Sequence, residues 1–339
     1  LVHLLFGWRN PWPIAALILI AATSWPLRRT LTAGQLNCLL LLFYCIILWG
    51  LLKRRYWAAG LPVGLGTLVK LMPALFGLYF LLKRRWAAVV WSAAGFAVFL
   101  GISVAMFGWS VHAEYVPLMR QMGYGSSVWE DLLIQSNIPP FYRDPFNQSF
   151  NSLFHHLVAP DPIGQVKPWF YLEPQVGKRA ANVLTIASVL TCFALAVWAI
   201  GFRRNPPETP NPGAPPFVES LEIALIVVLS LLVPSLLWDH YLILLLIPQS
   251  ALLALYWSAD RLPPLRTALF IVAGTVIAIP VAFQRPDYRE GLGLLRMSVK
   301  LYGLLLIYGL LVYELRSIKP VSVANEAQCK APDPVRFRG

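Results

Sequence analysis

The chain has 339 residues, 58% of them hydrophobic and only 13% charged, with a formal net charge of +12 and a mean hydropathy of +0.61. A soluble domain carries about 25% charged residues, so this composition excludes an ordinary soluble protein and indicates a polytopic membrane protein. The surplus of Lys and Arg is what cytoplasmic loops supply, and with no nucleic-acid motif beside it no nucleic-acid partner is expected.

Uncharged runs fall at 10–27, 30–52, 86–111, 180–202, 223–238, 241–259 and 267–284, with a weaker run at 297–313. Each approaches the roughly 17–25 residues that span about 30 Å of hydrocarbon. Trp8, Trp12, Trp25, Trp49, Trp57, Trp86, Trp109, Trp238 and Trp257 lie near their ends, as interfacial aromatics do. Cys38, Cys45, Cys192 and Cys329 form no CxxC pair and read as small apolar packing residues. The chain opens on Leu1 rather than Met and shows no signal peptide, which suggests an N-terminally incomplete sequence.

Between Lys53-Arg54-Arg55 and Lys83-Arg84-Arg85 runs Tyr56–Leu82, whose one charge is Lys70. As a single helix it would be about 40 Å long and would put the two basic clusters on opposite faces. As two short helices, 56–69 and 73–83 with Lys70 and Pro73 at the turn, it puts both clusters, Arg203-Arg204, Arg261, Arg266, Arg316 and Lys319 on the cytoplasmic side. The positive-inside rule selects the hairpin. The loop Gly108–Lys178 then lies outside, where its four Lys/Arg against six Asp/Glu are at home.

The expected fold is all-α, a polytopic transmembrane helical bundle of about ten helical segments, most of them full spans, with both visible ends cytoplasmic. Residues 1–107 hold the first helices, including the hairpin 56–83, and 108–178 form one large extracytoplasmic loop. Residues 179–316 hold the remaining helices. Asn205–Pro216 (NPPETPNPGAPP) reads as an extended cytoplasmic linker and 317–339 as a disordered tail.

Four polar clusters fall on the outer side. Lys70 either snorkels to the interface, pairs with a carboxylate, or binds a phosphate entering from the membrane. Gln35 and Asn37 either cap a helix or line the same cavity, and Arg28 and Arg29 either sit among headgroups or help hold an anion. Asn147, Gln148 and Asn151 crowd a turn before His155 and His156; Asn147-Gln148-Ser149 formally matches a glycosylation acceptor, and no motif supports metal at the histidines. Trp238-Asp239-His240-Tyr241 follows Pro234 at an outer junction, where His240 either bonds locally, binds phosphate or transfers protons.

These pieces, in this order, resemble polytopic glycosyltransferases of the C superfamily, specifically glycosyltransferase family 87. The matching pieces are Gly34-Gln35-Leu36-Asn37, Ala59-Gly60, Gly64-Leu65, Val69-Lys70-Leu71-Met72-Pro73 with Lys83-Arg84-Arg85-Trp86, Asn147-Gln148-Ser149-Phe150-Asn151, and Pro234 with Trp238-Asp239-His240-Tyr241. The resemblance implies an inverting hexosyltransferase of the bacterial inner membrane that uses no cofactor and no metal. Its partners would be a polyprenyl-phosphate sugar donor of the mannose type, a lipid or glycan acceptor, and membrane lipids. The sugar would be transferred to an acceptor hydroxyl on the outer face.

In this resemblance the catalytic aspartate belongs to the first outer loop, expected upstream of Leu1, with Asp239 as the alternative within the chain. The substrate-binding candidates are Lys70, His240, Asp239, Gln35, Asn37, Arg28, Arg29, Asn147, Gln148 and Asn151. A transporter or flippase of a lipid-linked or anionic substrate is the competing function, since broken helices and intramembrane charges also mark transport sites.

Overall fold

The computed structural model describes residues 11–201, 217–257, 263–281 and 286–318. The linker Asn205–Pro216, Arg203-Arg204, Arg261, Trp8, Cys329, Lys319 and the tail beyond 318 lie outside them. The described residues form an all-α protein of fifteen helices, with one isolated β-bridge between Asn147 and Trp238. In chain order the first six are α1 (Pro11–Thr23), α2 (Trp25–Thr32), α3 (Asn37–Leu52), α4 (Tyr56–Val69), α5 (Ala74–Leu82) and α6 (Trp86–Phe107). The 108–178 loop contributes α7 (Trp109–Arg120), α8 (Glu130–Gln135) and α9 (Phe150–Val158). The second half contributes α10 (Pro174–Ile200), α11 (Phe217–Leu232), α12 (Leu246–Trp257), α13 (Pro264–Ala278), α14 (Gly293–Met297) and α15 (Val299–Ser317).

The helix count exceeds the expected ten because breaks and loop helices add short pieces. Fewer elements than expected are full spans by length. Among the described residues Trp86–Phe107, Pro174–Ile200 and Asp239–Trp257 are long and apolar enough to cross a membrane. A fourth span is formed if Ile14–Thr23 and Trp25–Thr32, bent by 55°, count as one. The cause is local chemistry. Pro26 opens α2, Pro73 stands at the N-cap of α5, and Pro234 follows α11, so the chain breaks where backbone N–H donors are missing.

The hairpin is resolved by packing. Gly60 lies against Ala88 and Trp91, and Gly64 against Ser92, Gly95 and Phe96, so positions advance together and α4 runs parallel to α6. Helix α5 therefore returns between them, and Lys53-Arg54-Arg55 and Lys83-Arg84-Arg85 lie at one end of the bundle. The same end holds two bonds from the hairpin to the start of α11, Lys83 to Glu222 at 2.6 Å and Arg85 to Glu219 at 2.5 Å. Arg266 pairs with Glu314 there at 2.9 Å, at the start of α13 and the end of α15.

The core is apolar. Tyr44, Ile47, Phe76, Tyr79 and Phe80 pack with the fully buried face of α11 and with Leu301, Leu304 and Ile307 of α15. Helix α6, by contrast, is largely bare, with Val90, Val98, Ile102, Met106 and Phe107 exposed, as a lipid-facing surface requires.

The close approach of α4 and α6 gives the first prediction. A Cβ at Gly60 would lie 2.5 Å from the carbonyl oxygen of Ala88, and at Gly64 it would meet backbone atoms of α6. Gly64→Leu should therefore lower stability in detergent by about 1–3 kcal/mol or more, the scale of overpacking. Gly77→Leu, where nothing lies within 4 Å, is the control and should leave the melting temperature nearly unchanged.

Candidate functional site

The site lies at the end opposite the paired basic clusters, where three chain breaks meet. Helix α4 stops at Val69, and Lys70 takes an extended conformation (φ −152°, ψ 142°) while its N–H closes the helix on the Gly66 carbonyl at 2.8 Å. Its ammonium donates to Asn37 Oδ1 at 2.6 Å and lies over the Tyr241 ring, 3.6 Å from the centroid. Asn37 in turn donates through Nδ2 to the His240 carbonyl at 3.2 Å, and Thr30 of α2 donates to the same carbonyl at 2.9 Å. Asn37 caps nothing: α3 has no side-chain cap, and the residue is spent on holding Lys70 and the 239–245 turn together.

Beside it stands Asp239, fully buried. One oxygen accepts from Trp25 Nε1 at 2.9 Å. The other lies 3.7 Å from Arg29 Nε and 3.7 Å from His240 Nδ1. Those distances are ion-pair contacts too long for hydrogen bonds, and Arg29 Nε, Asp239 Oδ1 and His240 Nδ1 are all buried without a hydrogen-bond partner among the described residues. Three such atoms facing one another mark a site with unused polar capacity.

Five of the ten binding candidates thus come together: Lys70, Asn37, Arg29, Asp239 and His240. Arg28 and Gln35 are exposed, Arg28 lying over Trp25 at 5.6 Å and Gln35 donating its N–H to the Thr30 carbonyl at 3.0 Å. Asn147, Gln148 and Asn151 are buried, and their side-chain bonds go to backbone. Asn147 Nδ2, Ser149 Oγ and Asn151 Nδ2 all converge on the Ser235 carbonyl, at 3.2, 2.9 and 3.2 Å. Gln148 spans Met297 O at 2.8 Å and Lys300 N at 3.2 Å. The cluster fastens the 108–178 loop to the turn that carries Asp239, and burial also closes Asn147 to glycosylation.

Two residues escaped the sequence reading. Lys300 of α15 is fully buried, donating to the Ile277 carbonyl at 3.3 Å at the end of α13. It was legible by the same signal as Lys70, a lone charge interrupting an apolar run. Trp25 was read as an interfacial aromatic, and only the bend before it turns its indole toward Asp239.

The 108–178 loop has its own core. Arg143 is buried and donates through Nη1 to the carbonyls of His155, Ala159 and Pro160 at 3.0–3.2 Å, while its Nε faces Asp161 at 3.4 Å. His155 bonds Asn182 and His156 the Arg143 carbonyl, so the paired histidines point at different partners. Burial holds His155 down to about 4 and His156 to about 3, with the Arg143 charge adding to the effect. Burial lifts the Asp144 carboxyl to about 6.

The model of glycosyltransferase family 87 matches residues 1–214, well over half of the chain. The chain belongs to glycosyltransferase family 87. Over 94 residues (28% of this chain, 22% of the relative) it is 43% identical to a polyprenol-phosphate-mannose-dependent alpha-(1-2)-phosphatidylinositol pentamannoside mannosyltransferase of Mycolicibacterium smegmatis. A protein of the same description from Mycobacterium tuberculosis is 34% identical over 111 residues, covering 32% of this chain and 25% of the relative. An alpha-(1->3)-arabinofuranosyltransferase of Corynebacterium glutamicum is 32% identical over 186 residues, or 52% of this chain and 43% of the relative. The chain therefore spans less than half the length of these relatives. No solved structure matches.

The histidines supply a pH test. Their values in the fold lie below the roughly 6.5 of a free imidazole, so the stability they represent is complete above about pH 6.5 and is lost as pH falls toward 4 and 3. Asp144, raised in the fold, works in the opposite direction over about pH 4–6 and offsets part of the loss. Hydrogen exchange in residues 141–159 should accelerate on acidification through this window. His156→Gln keeps an N–H donor without titrating and should move that acceleration to lower pH. An unchanged profile would assign the transition to other groups.

Proposed function

We propose that this chain is part of an integral-membrane, inverting hexosyltransferase that moves a mannose-like sugar from a polyprenyl-phosphate donor to an acceptor hydroxyl on the outer face of the membrane. The observation that carries the reading is Lys70, a half-buried ammonium fixed by Asn37 at a helix break, with Arg29, Asp239 and His240 beside it. The names of the mycobacterial relatives support the donor class.

In the reaction the acceptor oxygen attacks the anomeric carbon as the bond from that carbon to the phosphate oxygen breaks. The electron pair leaves on the phosphate, and the acceptor proton passes to a base. Cations beside the departing phosphate lower the barrier because charge develops there in the transition state. Lys70 and Arg29 fill that role, and His240 joins them when protonated. Asp239, bonded to Trp25 and flanked by Arg29 and His240, suits an orienting carboxylate. The resemblance draws the base from an aspartate of the first outer loop.

The basic clusters at the far end of the bundle support the outward orientation. In a background with the native cysteines replaced, Ser136→Cys should react with an impermeant thiol reagent in intact cells and Arg84→Cys should not. The reverse pattern would turn the site inward.

The donor reading predicts that Lys70→Met, which keeps an apolar stem of similar length, weakens polyprenyl-phosphate binding by about 1.5–3 kcal/mol, the worth of a charge-assisted hydrogen bond. Equal affinity in a folded variant would leave Lys70 a snorkelling residue. Asp239→Asn should reduce turnover more than donor affinity, because it disturbs alignment and leaves Lys70 in place. In reconstituted vesicles, movement of intact lipid without sugar transfer would replace the enzyme reading with a flippase.

A further inference from the structure

A cavity of about 420 Å3 opens between the outer loop and the segment 286–297, within the roughly 300–1,000 Å3 range of small-molecule sites. Ile138, Val166, Phe146 and Met297 give it apolar walls, and Arg143, Asp144, Asp161, Gln165 and Arg289 give it polar ones. Several of those polar groups are already committed. Arg143 serves three carbonyls, and Asp161 faces Arg143 and accepts the N–H groups of Gln165 and Val166 at 2.7 and 2.9 Å. Gln165 reaches the Asn137 carbonyl at 3.4 Å.

Asp144 and Arg289 remain. Asp144 Oδ1 accepts from the Phe146 N–H at 2.8 Å, and its second oxygen takes no hydrogen bond among the described residues. The Arg289 side chain makes no hydrogen bond or ion pair among the described residues. One open carboxylate, one open guanidinium and apolar walls suit a neutral ligand rich in hydroxyl groups. An anion would meet Asp144, a cation would meet Arg289, and an acyl chain would bury both without partners. Hydroxyl groups satisfy both at once, donating to the carboxylate and accepting from the guanidinium.

The cavity also shares a wall with the donor site. Phe146 lines it and lies under the Arg29 guanidinium, 5.3 Å from ring centroid to carbon, and Arg29 faces Asp239. We propose that this cavity binds a sugar unit of the acceptor through its hydroxyl groups, with Asp144 accepting and Arg289 donating. Calling that sugar the acceptor rests on the proposed function; the sugar site itself rests on the cavity.

The test uses saturation-transfer NMR on the purified chain in detergent, with methyl α-mannopyranoside as the sugar probe and decaprenyl phosphate as the lipid probe. The wild type should transfer saturation to the mannoside. Asp144→Asn and Arg289→Gln should each weaken its binding by about tenfold, the effect of losing one charged hydrogen-bond partner, and leave decaprenyl-phosphate affinity unchanged. Val166→Trp, which fills the cavity without altering its charges, should abolish the mannoside signal. Lys70→Met should do the reverse, weakening the lipid phosphate and sparing the mannoside. Mannoside binding that is absent from the wild type, or unchanged in all three cavity variants, overturns the proposal. Decaprenyl-phosphate affinity that ignores Lys70→Met overturns the donor reading and leaves the sugar site standing.

Discussion

The carbonyl of His240 organises the end of the bundle that lies opposite the basic clusters. A backbone acceptor buried among apolar helices must find donors, because no solvent is there to supply them. Thr30 from α2 and Asn37 from α3 both donate to it. Asn37 then has its amide oxygen left over, and that oxygen holds the Lys70 ammonium at 2.6 Å. One buried carbonyl thus ties α2, α3, the α4–α5 break and the 239–245 turn into a single unit. The groups that repair the broken helices are the same groups that form the site.

The two ends of the bundle are built on opposite terms. At the basic end Tyr79, Lys83 and Arg85 close on Glu219 and Glu222, with Glu222 taking both the Tyr79 hydroxyl at 3.0 Å and the Lys83 ammonium at 2.6 Å. Charges there meet opposite charges at contact distance, and removing one partner would leave a buried ion uncompensated at a cost of about 3–5 kcal/mol. At the opposite end Arg29 and His240 each stand 3.7 Å from Asp239 Oδ1, near enough to attract and too far to hydrogen-bond. The paired basic end anchors the hairpin, while at the opposite end Arg29 Nε, Asp239 Oδ1 and His240 Nδ1 stay in ion-pair contact without a hydrogen bond among the described residues.

Much of this was legible because charge is so scarce in the sequence. Lys70 in an apolar stretch and Asp239-His240 between two apolar spans each cost energy unless used, and the structure brings them to one place. The hairpin was legible from the sign rule applied to Lys53-Arg54-Arg55 and Lys83-Arg84-Arg85, and the parallel packing of α4 on α6 puts both clusters at one end. What stayed hidden depends on orientation rather than composition. Asn147 and Asn151 look like binding residues in a string of letters, but three-dimensional closure turns both, with Ser149, onto Ser235. The 55° bend that aims Trp25 and Arg29 at Asp239 has no sequence signal beyond Pro26.

The 108–178 loop connects these parts. Its internal core of Arg143, His155, His156 and Asp161 makes it a folded unit rather than a tether. Asn147, Gln148 and Asn151 then fix that unit to Ser235, Leu237 and Met297, on both sides of the turn bearing Asp239. A loop attached this firmly cannot move without moving the site. The same attachment places Phe146 beneath Arg29, so the loop supplies one wall of the charged cluster and one wall of the adjoining cavity.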